Sequence, residues 1–144
     1  MAANNHPVEI NPPQVKKQKD LECVERCQYE LNYAKLSPNG VCKVFDIPSD
    51  EYKTMKVRNP ANNKSINISV GRAALIVQKE TFFIDPNDEN FEASHLCHNK
   101  NCVLTCHLSA EPHAVNNSRK ACVNYGFCLG HGTYPACLVH LKMW

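Results

Sequence analysis

Long apolar runs are missing from this chain, and their absence limits the classes of protein to which it can belong. No stretch of the 144 residues is long and apolar enough to span a membrane. The first residues, MAANNHP, also lack the apolar run of a secretory signal peptide. We therefore expect an intracellular protein, nuclear or cytoplasmic, that is not secreted and has no membrane partner.

Strong charge of either sign is also missing, and the aliphatic core is thin. The formal net charge is only +2, which permits nucleic-acid binding without arguing for it. Hydrophobic residues make up 43% of the chain, but cysteine and alanine supply a large part of that fraction. A chain of this length forms one domain. We expect something other than apolar burial to help hold that domain together.

What the chain has instead is cysteine and histidine. An odd total of nine cysteines fits poorly with complete disulfide pairing. The fifteen residues from 93 to 107 hold three cysteines and three histidines, and a second group of both types follows between residues 122 and 137. Histidines interleaved with cysteines at short spacing favour zinc in a reducing compartment over a disulfide scaffold.

The spacing of these residues predicts two zinc sites. Four residues separate Cys97 from Cys102, and four more separate Cys102 from His107. These three ligands leave a tetrahedral zinc one short, and we choose Cys42, at the start of a β region, as the fourth. The second site is complete within one segment, with the ligands Cys122, Cys128, His131 and Cys137. The alternative is a set of reduced structural cysteines with scattered histidines.

The first part of the chain contains an arm and a helix. Residues 1–20 are rich in Asn, Pro, Gln and Lys, and we predict a flexible arm before a single domain at 21–144. Apolar residues at helical spacing predict a helix from Asp20 to about Lys35; they are Leu21, Val24, Cys27, Leu31 and Ala34. Cys23 and Cys27 share one face of this helix. Inward packing is favoured over metal binding there, because no histidine or third cysteine lies nearby.

The middle of the chain predicts short strands. Residues 41–45, 52–58 and 64–70 alternate polar and apolar side chains, and the last two runs carry exposed Lys and Arg. A basic β-ribbon of this kind either lies in the major groove of DNA or simply solvates an outer face. Residues 71–79 are apolar nearly all round and predict a short buried helix, with a buried strand as the alternative.

Three residues of the Cys/His-rich stretch are left without a zinc site: His95, His98 and Cys106. On a continuous strand, His95 points to the same side as Cys97 and His98 points away. A free imidazole can act as a general base when its other nitrogen is held. Residues 111–120 then predict a helix with Pro112 at its first position.

A hairpin with a histidine, followed by a helix with an amide, is the layout of the ββα-metal nucleases. The motif SHLCHN at 94–99, followed by Cys102, His107 and Asn116, resembles the His-Cys box homing endonucleases, which are His-Me finger nucleases with a zinc-binding loop region. The resemblance covers about residues 41–138 and includes VCKVFDIP at 41–48. It implies an α+β fold with small antiparallel sheets, a ββα-metal core at about 93–121 and two structural zinc ions.

The resemblance also implies an activity. The chain would be an endonuclease that hydrolyses phosphodiester bonds of double-stranded DNA, with zinc at both of the predicted sites. His95 matches the general base of the family, and Asn116 matches its one protein ligand for a catalytic Mg²⁺. The phosphate-contacting arginine of the family has three candidate counterparts, which are Arg58, Lys64 and Arg72.

Two features leave alternatives open. Family members have a longer C-terminal tail that embraces the partner subunit, whereas this chain stops seven residues after Cys137, so a homodimer and a monomer that nicks DNA both remain. The DNA-binding domain of the Smad factors resembles a relative that no longer cuts DNA, and a zinc-stabilised protein-interaction domain is a further alternative. The presence of both His95 and Asn116 favours the nuclease, because a pure binder needs neither.

Overall fold

The computed structural model describes residues 12–48, 50–79 and 91–138, and for residues 12–18 the backbone alone is described. Three α-helices, six short strands and a 3₁₀ turn make up this part of the chain. In order they are α1 (Pro12–Leu31), β1 (Lys35–Leu36), β2 (Lys43–Val44), β3 (Thr54–Arg58), β4 (Ser65–Ser69), α2 (Val70–Lys79), β5 (Glu92–His95), the 3₁₀ turn (Thr105–His107), β6 (Leu108–Glu111) and α3 (His113–Tyr125). The strands pair as three separate antiparallel sheets, β1–β2, β3–β4 and β5–β6. The predicted α+β class with small antiparallel sheets is confirmed.

The main core lies between α1, α2 and the inner face of the β3–β4 hairpin. Helix α2 is buried along most of its length, as the apolar run predicted, and the alternative of a strand at this position is wrong. The buried core residues are mostly small or aliphatic; they include Leu31, Met55, Val57, Ile68, Ala73, Leu75 and Ile76. Phe45 is the only aromatic side chain among the buried core residues of the described part, and several of the others are cysteine or alanine, in keeping with the composition.

Helix α1 begins earlier than the sequence suggested. It starts at Pro12 rather than Asp20, so the predicted boundary at residue 20 falls inside the helix, and residues 1–11 lie outside the described part. Proline fits the first turn of a helix because its fixed φ suits that position, and the Lys and Gln residues that follow are good helix formers. Cys23 and Cys27 pack into the core as favoured, whereas Leu21 is 40% exposed and not part of it.

The β3–β4 hairpin presents one apolar and one polar face. Met55 and Val57 of β3 are buried, and Lys56 and Arg58 between and after them are exposed. Lys56 pairs with Asn67 and Arg58 with Ser65, so the outer face is polar on both strands. The predicted alternation is therefore confirmed, and a basic, hydrogen-bonding ribbon faces outward.

The β5–β6 hairpin and α3 form a ββα unit. His95 pairs with Leu108 at one end of the hairpin, and Glu92 pairs with Glu111 at the other. Pro112 is the N-cap of α3 rather than its first residue, because its backbone is still extended. Gly126 ends the helix with a positive φ of 75°, a conformation that glycine adopts without strain.

Candidate metal centres and active-site cleft

The first Cys/His group brings together residues that lie far apart in the chain. Its four side chains are all buried, and their ligand atoms lie within 4.8 Å of one another; they are Cys42, Cys97, Cys102 and His107. The Sγ of Cys42 is 3.6 Å from the Sγ of Cys97 and 3.6 Å from Nδ1 of His107. The same Nδ1 is 3.5 Å from the Sγ of Cys102.

These distances fit tetrahedral zinc. With Zn–S bonds of about 2.3 Å and Zn–N bonds of about 2.0 Å, a tetrahedron separates two sulfur atoms by about 3.8 Å and a sulfur from a nitrogen by about 3.5 Å. Burial, reinforced by the neighbouring thiol of Cys102, raises the pKa of Cys42 to about 12 when no cation is present. A divalent cation is therefore needed to hold the buried thiol of Cys42 as a thiolate.

The backbone explains how Cys42 reaches the other three ligands. Strand β2 begins directly after Cys42, and the carbonyl of Lys43 accepts a hydrogen bond of 2.9 Å from the backbone N–H of Val103. The buried side chain of Asn101 fixes the loop from the other side. Its Oδ1 accepts from the N–H of Lys53, and its Nδ2 donates to the carbonyl of Glu51.

The second Cys/His group lies beside α3 and is less buried. Its ligand atoms also lie within 4.8 Å of one another; its members are Cys122, Cys128, His131 and Cys137. Nε2 of His131 is 3.4 Å from the Sγ atoms of both Cys122 and Cys137. Backbone N–H groups of Gly130 and Cys137 donate to the Sγ of Cys128, which stabilises a thiolate there.

A serine on α3 orients the histidine of the second group. The hydroxyl of Ser118 donates to the carbonyl of Val115, and its oxygen lies 2.9 Å from Nδ1 of His131. Since the hydroxyl proton is already used, Nδ1 carries the proton and donates it to Ser118, which leaves Nε2 as the metal ligand. Outer contacts of this kind fix the ring and its tautomer in zinc sites.

A buried ion pair connects the second group to the ββα unit. Arg119 of α3 donates to both carboxylate oxygens of Glu111 on β6, at 2.6 and 2.7 Å. Its remaining Nη1 donates to the Sγ of Cys137 at 3.3 Å. Burial would raise the pKa of Glu111, but hydrogen bonds led by those from Arg119 keep that pKa below its usual value.

The two candidate catalytic residues line one cleft. This cleft has a volume of about 200 Å³ and lies between the end of β5 and one side of α3. His95 comes from β5 and Asn116 from α3, and the other lining residues are His98, His113, Asn117, Arg119, Lys120 and Val123. The described structure therefore brings His95 and Asn116 to a common surface.

The tautomer of His95 follows from its hydrogen bond. Its Nε2 lies 3.0 Å from the carbonyl oxygen of Cys102, and because a carbonyl only accepts, Nε2 carries the proton. Nδ1 then keeps its lone pair. Burial lowers the pKa of His95, which favours this neutral form. Gly71 lets α2 approach the ring: a Cβ at that position would lie 2.9 Å from Cε1 and Nε2 of His95.

His98 does not follow the predicted alternation. Strand β5 ends at His95, and the N–H of His98 donates to the carbonyl of His95 across a tight turn. His98 has a positive φ of 60° in this turn. Because the strand stops there, His98 lines the same cleft as His95 instead of pointing away from it.

Glu92 and Gly71 were missed from the sequence. Nδ2 of Asn116 donates to Oε1 of Glu92 at 2.9 Å, and Nδ1 of His113 lies 2.9 Å from the same oxygen. Burial opposes ionisation of Glu92, but hydrogen bonds from Asn116 and His113 hold its pKa below the usual range. No local motif signals these contacts, because each joins residues brought together only by the fold.

The three candidate phosphate contacts lie in different places. Arg58 and Lys64 belong to the β3–β4 hairpin, where Nη1 of Arg58 donates to the carbonyl of Asn63. Arg72 lies next to Gly71 at the start of α2, and its charge contributes to the lowered pKa of Glu92. Of the three candidates, Arg72 is the one whose charge acts on Glu92, the hydrogen-bond partner of Asn116.

The fold is a ββα domain with two Cys/His groups that could each hold a zinc ion, and a comparison with protein families shows the family to which it belongs. The family described as the zinc-binding loop region of homing endonuclease matches residues 46–138, about two thirds of the chain. The chain belongs to this family. Neither the curated proteins nor the solved structures gave a match. In the described residues no helix is both long and apolar enough to cross a membrane.

Proposed function

We propose that this protein is a Mg²⁺-dependent endonuclease that hydrolyses phosphodiester bonds of double-stranded DNA. The family match supports a nuclease-like protein, and the contents of the cleft support the specific chemistry. The single observation that carries the proposal is the position of His95. Its proton is held on Nε2 by the Cys102 carbonyl, while the ring lines the same cleft as the amide of Asn116.

In this reaction His95 acts as the general base. Its Nδ1 accepts a proton from a water molecule that attacks the phosphorus in line with the leaving 3′ oxygen. The imidazolium that forms is stabilised by the hydrogen bond from Nε2 to the Cys102 carbonyl. Since Cys102 belongs to the first Cys/His group, a zinc ion held there would fix the carbonyl that orients the base.

Asn116 would hold the catalytic cation. Its Nδ2 is engaged by Glu92, so Oδ1, a hard oxygen ligand that suits Mg²⁺, is the atom left for a metal. When bound, Mg²⁺ supplies charge that stabilises the pentacovalent phosphate and the leaving oxygen. A neutral amide binds Mg²⁺ weakly by itself, so we expect the ion to enter largely with the DNA phosphate.

Zinc would be structural at both Cys/His groups. Each group offers four protein ligands, so no position is open for a reactive water. The first ion would hold the loop of Cys102 beside His95, and the second would hold α3 at its C-terminal half. All nine cysteines, each within the described residues, are free thiols, as such binding requires.

DNA would lie along the outer face of the β3–β4 hairpin. Lys56, Arg58 and Asn67 are exposed there and present donors and acceptors of the kind that read base edges in the major groove. Arg72, beside the cleft, is our candidate for the contact to the scissile phosphate, because its guanidinium offers the bidentate geometry that a lysine lacks. One copy acting alone would yield nicked circles, whereas a homodimer that cuts both strands would yield linear DNA.

The test is nicking of supercoiled plasmid in the presence of Mg²⁺. We expect the wild-type protein to nick, and His95→Ala and Asn116→Ala each to lower the rate by at least about 100-fold. Circular dichroism and zinc content should be unchanged in both variants. Equal nicking activity in all three proteins, or no activity in the wild type, would reject the proposed nuclease function. Retained duplex binding without any nicking would then favour the DNA-binding module.

A further inference from the structure

Glu92 has a neighbour that the proposed mechanism depends on. Its Oε1 accepts a hydrogen bond of 2.9 Å from Nδ2 of Asn116. A carboxylate has no proton to donate when it is ionised, so it must face the NH₂ group of Asn116 and not its oxygen. The contact therefore settles which end of the amide is turned toward Glu92.

The β5–β6 register explains why this contact forms. Glu92 and Glu111 are direct partners across the hairpin, so both side chains leave the same face, the one that α3 covers. Both carboxylates hold residues of α3: Glu111 binds Arg119, and Glu92 binds Asn116 and also lies 2.9 Å from Nδ1 of His113. Asn116 and Arg119 are three positions apart, on one side of the helix. Since Arg119 neutralises Glu111, Glu92 is the carboxylate left to meet the amide.

We propose that Glu92 is a positioning residue that locks the Asn116 amide so that Oδ1, and not Nδ2, is presented to the catalytic cation. This inference rests on the proposed function, because it assigns the orientation of the metal ligand named there. An amide that rotates freely offers its nitrogen, which cannot bind Mg²⁺, for part of the time. Outer contacts of this kind are typically worth 10- to 100-fold in metal affinity or activity.

The first experiment needs neither metal turnover nor DNA. In zinc-loaded, Mg²⁺-free protein, the side-chain NH₂ protons of Asn116 are observed by ¹⁵N NMR. We expect one of the two resonances to shift and to exchange faster with water in Glu92→Ala, and to stay near its wild-type position in Glu92→Gln, whose amide oxygen still accepts. An unchanged Asn116 signal in Glu92→Ala would overturn the contact.

The second experiment measures the Mg²⁺ concentration for half-maximal nicking. Glu92→Ala should raise that concentration by about 10- to 100-fold, whereas Glu92→Gln should remain near wild type. A Glu92→Gln variant as impaired as Glu92→Ala would instead show that the negative charge acts on the cation directly, and would reject the positioning role. Glu25→Ala, which removes an exposed carboxylate on α1, is the matched control and should change nothing.

A double substitution separates positioning from general structural support. Asn116→Asp alone places two carboxylates against each other, and we expect it to lose activity although aspartate is a better Mg²⁺ ligand. Glu92→Gln added to it restores a donor to that contact and should recover nicking. Equal activity of Asn116→Asp in both backgrounds would reject the proposal. If the wild type never nicks, the proposed function fails, and the NMR result still decides the contact.

Discussion

Arg119 and Glu111 form a fully buried ion pair in which one guanidinium also donates to a cysteine of the second Cys/His group. Arg119 is 2% exposed and Glu111 is completely buried, and two hydrogen bonds of 2.6 and 2.7 Å join them. The third contact, from Nη1 of Arg119 to the Sγ of Cys137, joins the ββα unit to the segment that follows α3. The position of α3, and with it the geometry of the cleft, thus depends on a pair that takes no part in the proposed chemistry.

Removing Arg119 should destabilise the protein far more than removing a surface arginine. Arg119→Met leaves the carboxylate of Glu111 buried without its partner, which costs about 3–5 kcal/mol. For a chain of this size a loss of 3 kcal/mol lowers the Tm by about 6–12 °C. Arg26→Met is the matched control, because Arg26 pairs with Glu30 on the exposed surface of α1. Thermal unfolding of both variants tests this prediction. Equal losses of Tm in Arg119→Met and Arg26→Met would contradict it.

Gly71→Ala should impair the cleft without loss of zinc. Alanine normally stabilises a helix by about 1 kcal/mol relative to glycine, but a Cβ here would lie 2.9 Å from two ring atoms of His95. Either the ring or α2 must move, and we expect nicking to fall by about 10-fold or more. Gln78→Ala, on the exposed side of the same helix, is the control. Full activity in Gly71→Ala would contradict the close packing of α2 on His95.

Metal analysis should separate the cysteines that bind zinc from those that only pack. We expect two zinc ions per wild-type chain and one in Cys42→Ala, because Cys42 completes the first Cys/His group. Cys23→Ala removes another buried thiol, one that packs in the core, and should keep both ions. Two ions in Cys42→Ala, or one in the wild type, would reject the assignment of that site.

Ser118→Ala should weaken the second zinc site selectively. The substitution removes the oxygen that accepts from Nδ1 of His131 and so releases the ring from its tautomer. Competition with a chromophoric chelator should show one ion held about 10- to 100-fold less tightly and the other unchanged. Asn117→Ala, the preceding residue of α3, provides the comparison for helix effects. A uniform weakening of both ions would argue for unfolding instead.

Substitutions on the outer face of the hairpin should weaken DNA binding and its salt dependence. Lys56→Gln and Arg58→Gln each remove one cation from the face that meets the polyanionic duplex, and we expect each to lower the slope of log K against log salt by up to about 1. Lys79→Gln, at the opposite end of α2 from the hairpin, should leave the slope unchanged. Fluorescence anisotropy on a duplex at several salt concentrations makes the measurement. An identical slope for all three variants would place the DNA elsewhere.

The Cys/His groups were predictable because ligand chemistry leaves a dense local pattern. Cys97, Cys102 and His107 lie within eleven residues, and the fold brings Cys42 to them as expected. The buried helix at 70–79 and the alternating strand at 54–58 were predictable for a similar reason, since each pattern repeats within one element.

The contacts of Glu92 and Gly71 were missed because they depend on how elements meet. Glu92 contacts Asn116, which is 24 residues later in the chain, because the hairpin register and the position of α3 together bring the two side chains into contact. No sequence motif predicts either of them. The approach of Gly71 to His95 needs the packing of α2 on β5. The predicted direction of the His98 side chain was wrong. The prediction assumed that the strand continues, whereas the chain turns directly after His95.

Cys42 lies before residue 46, where the match to the homing endonuclease family begins, yet it belongs to the first Cys/His group. A fragment trimmed to the matched region would keep Cys97, Cys102 and His107 and would lack the fourth ligand. Three protein ligands and an open position are the coordination of catalytic zinc. In such a fragment the metal ion would be accessible and would bind water at its fourth position, instead of being enclosed by four protein ligands. Fragments for expression and truncation studies should therefore begin upstream of β1.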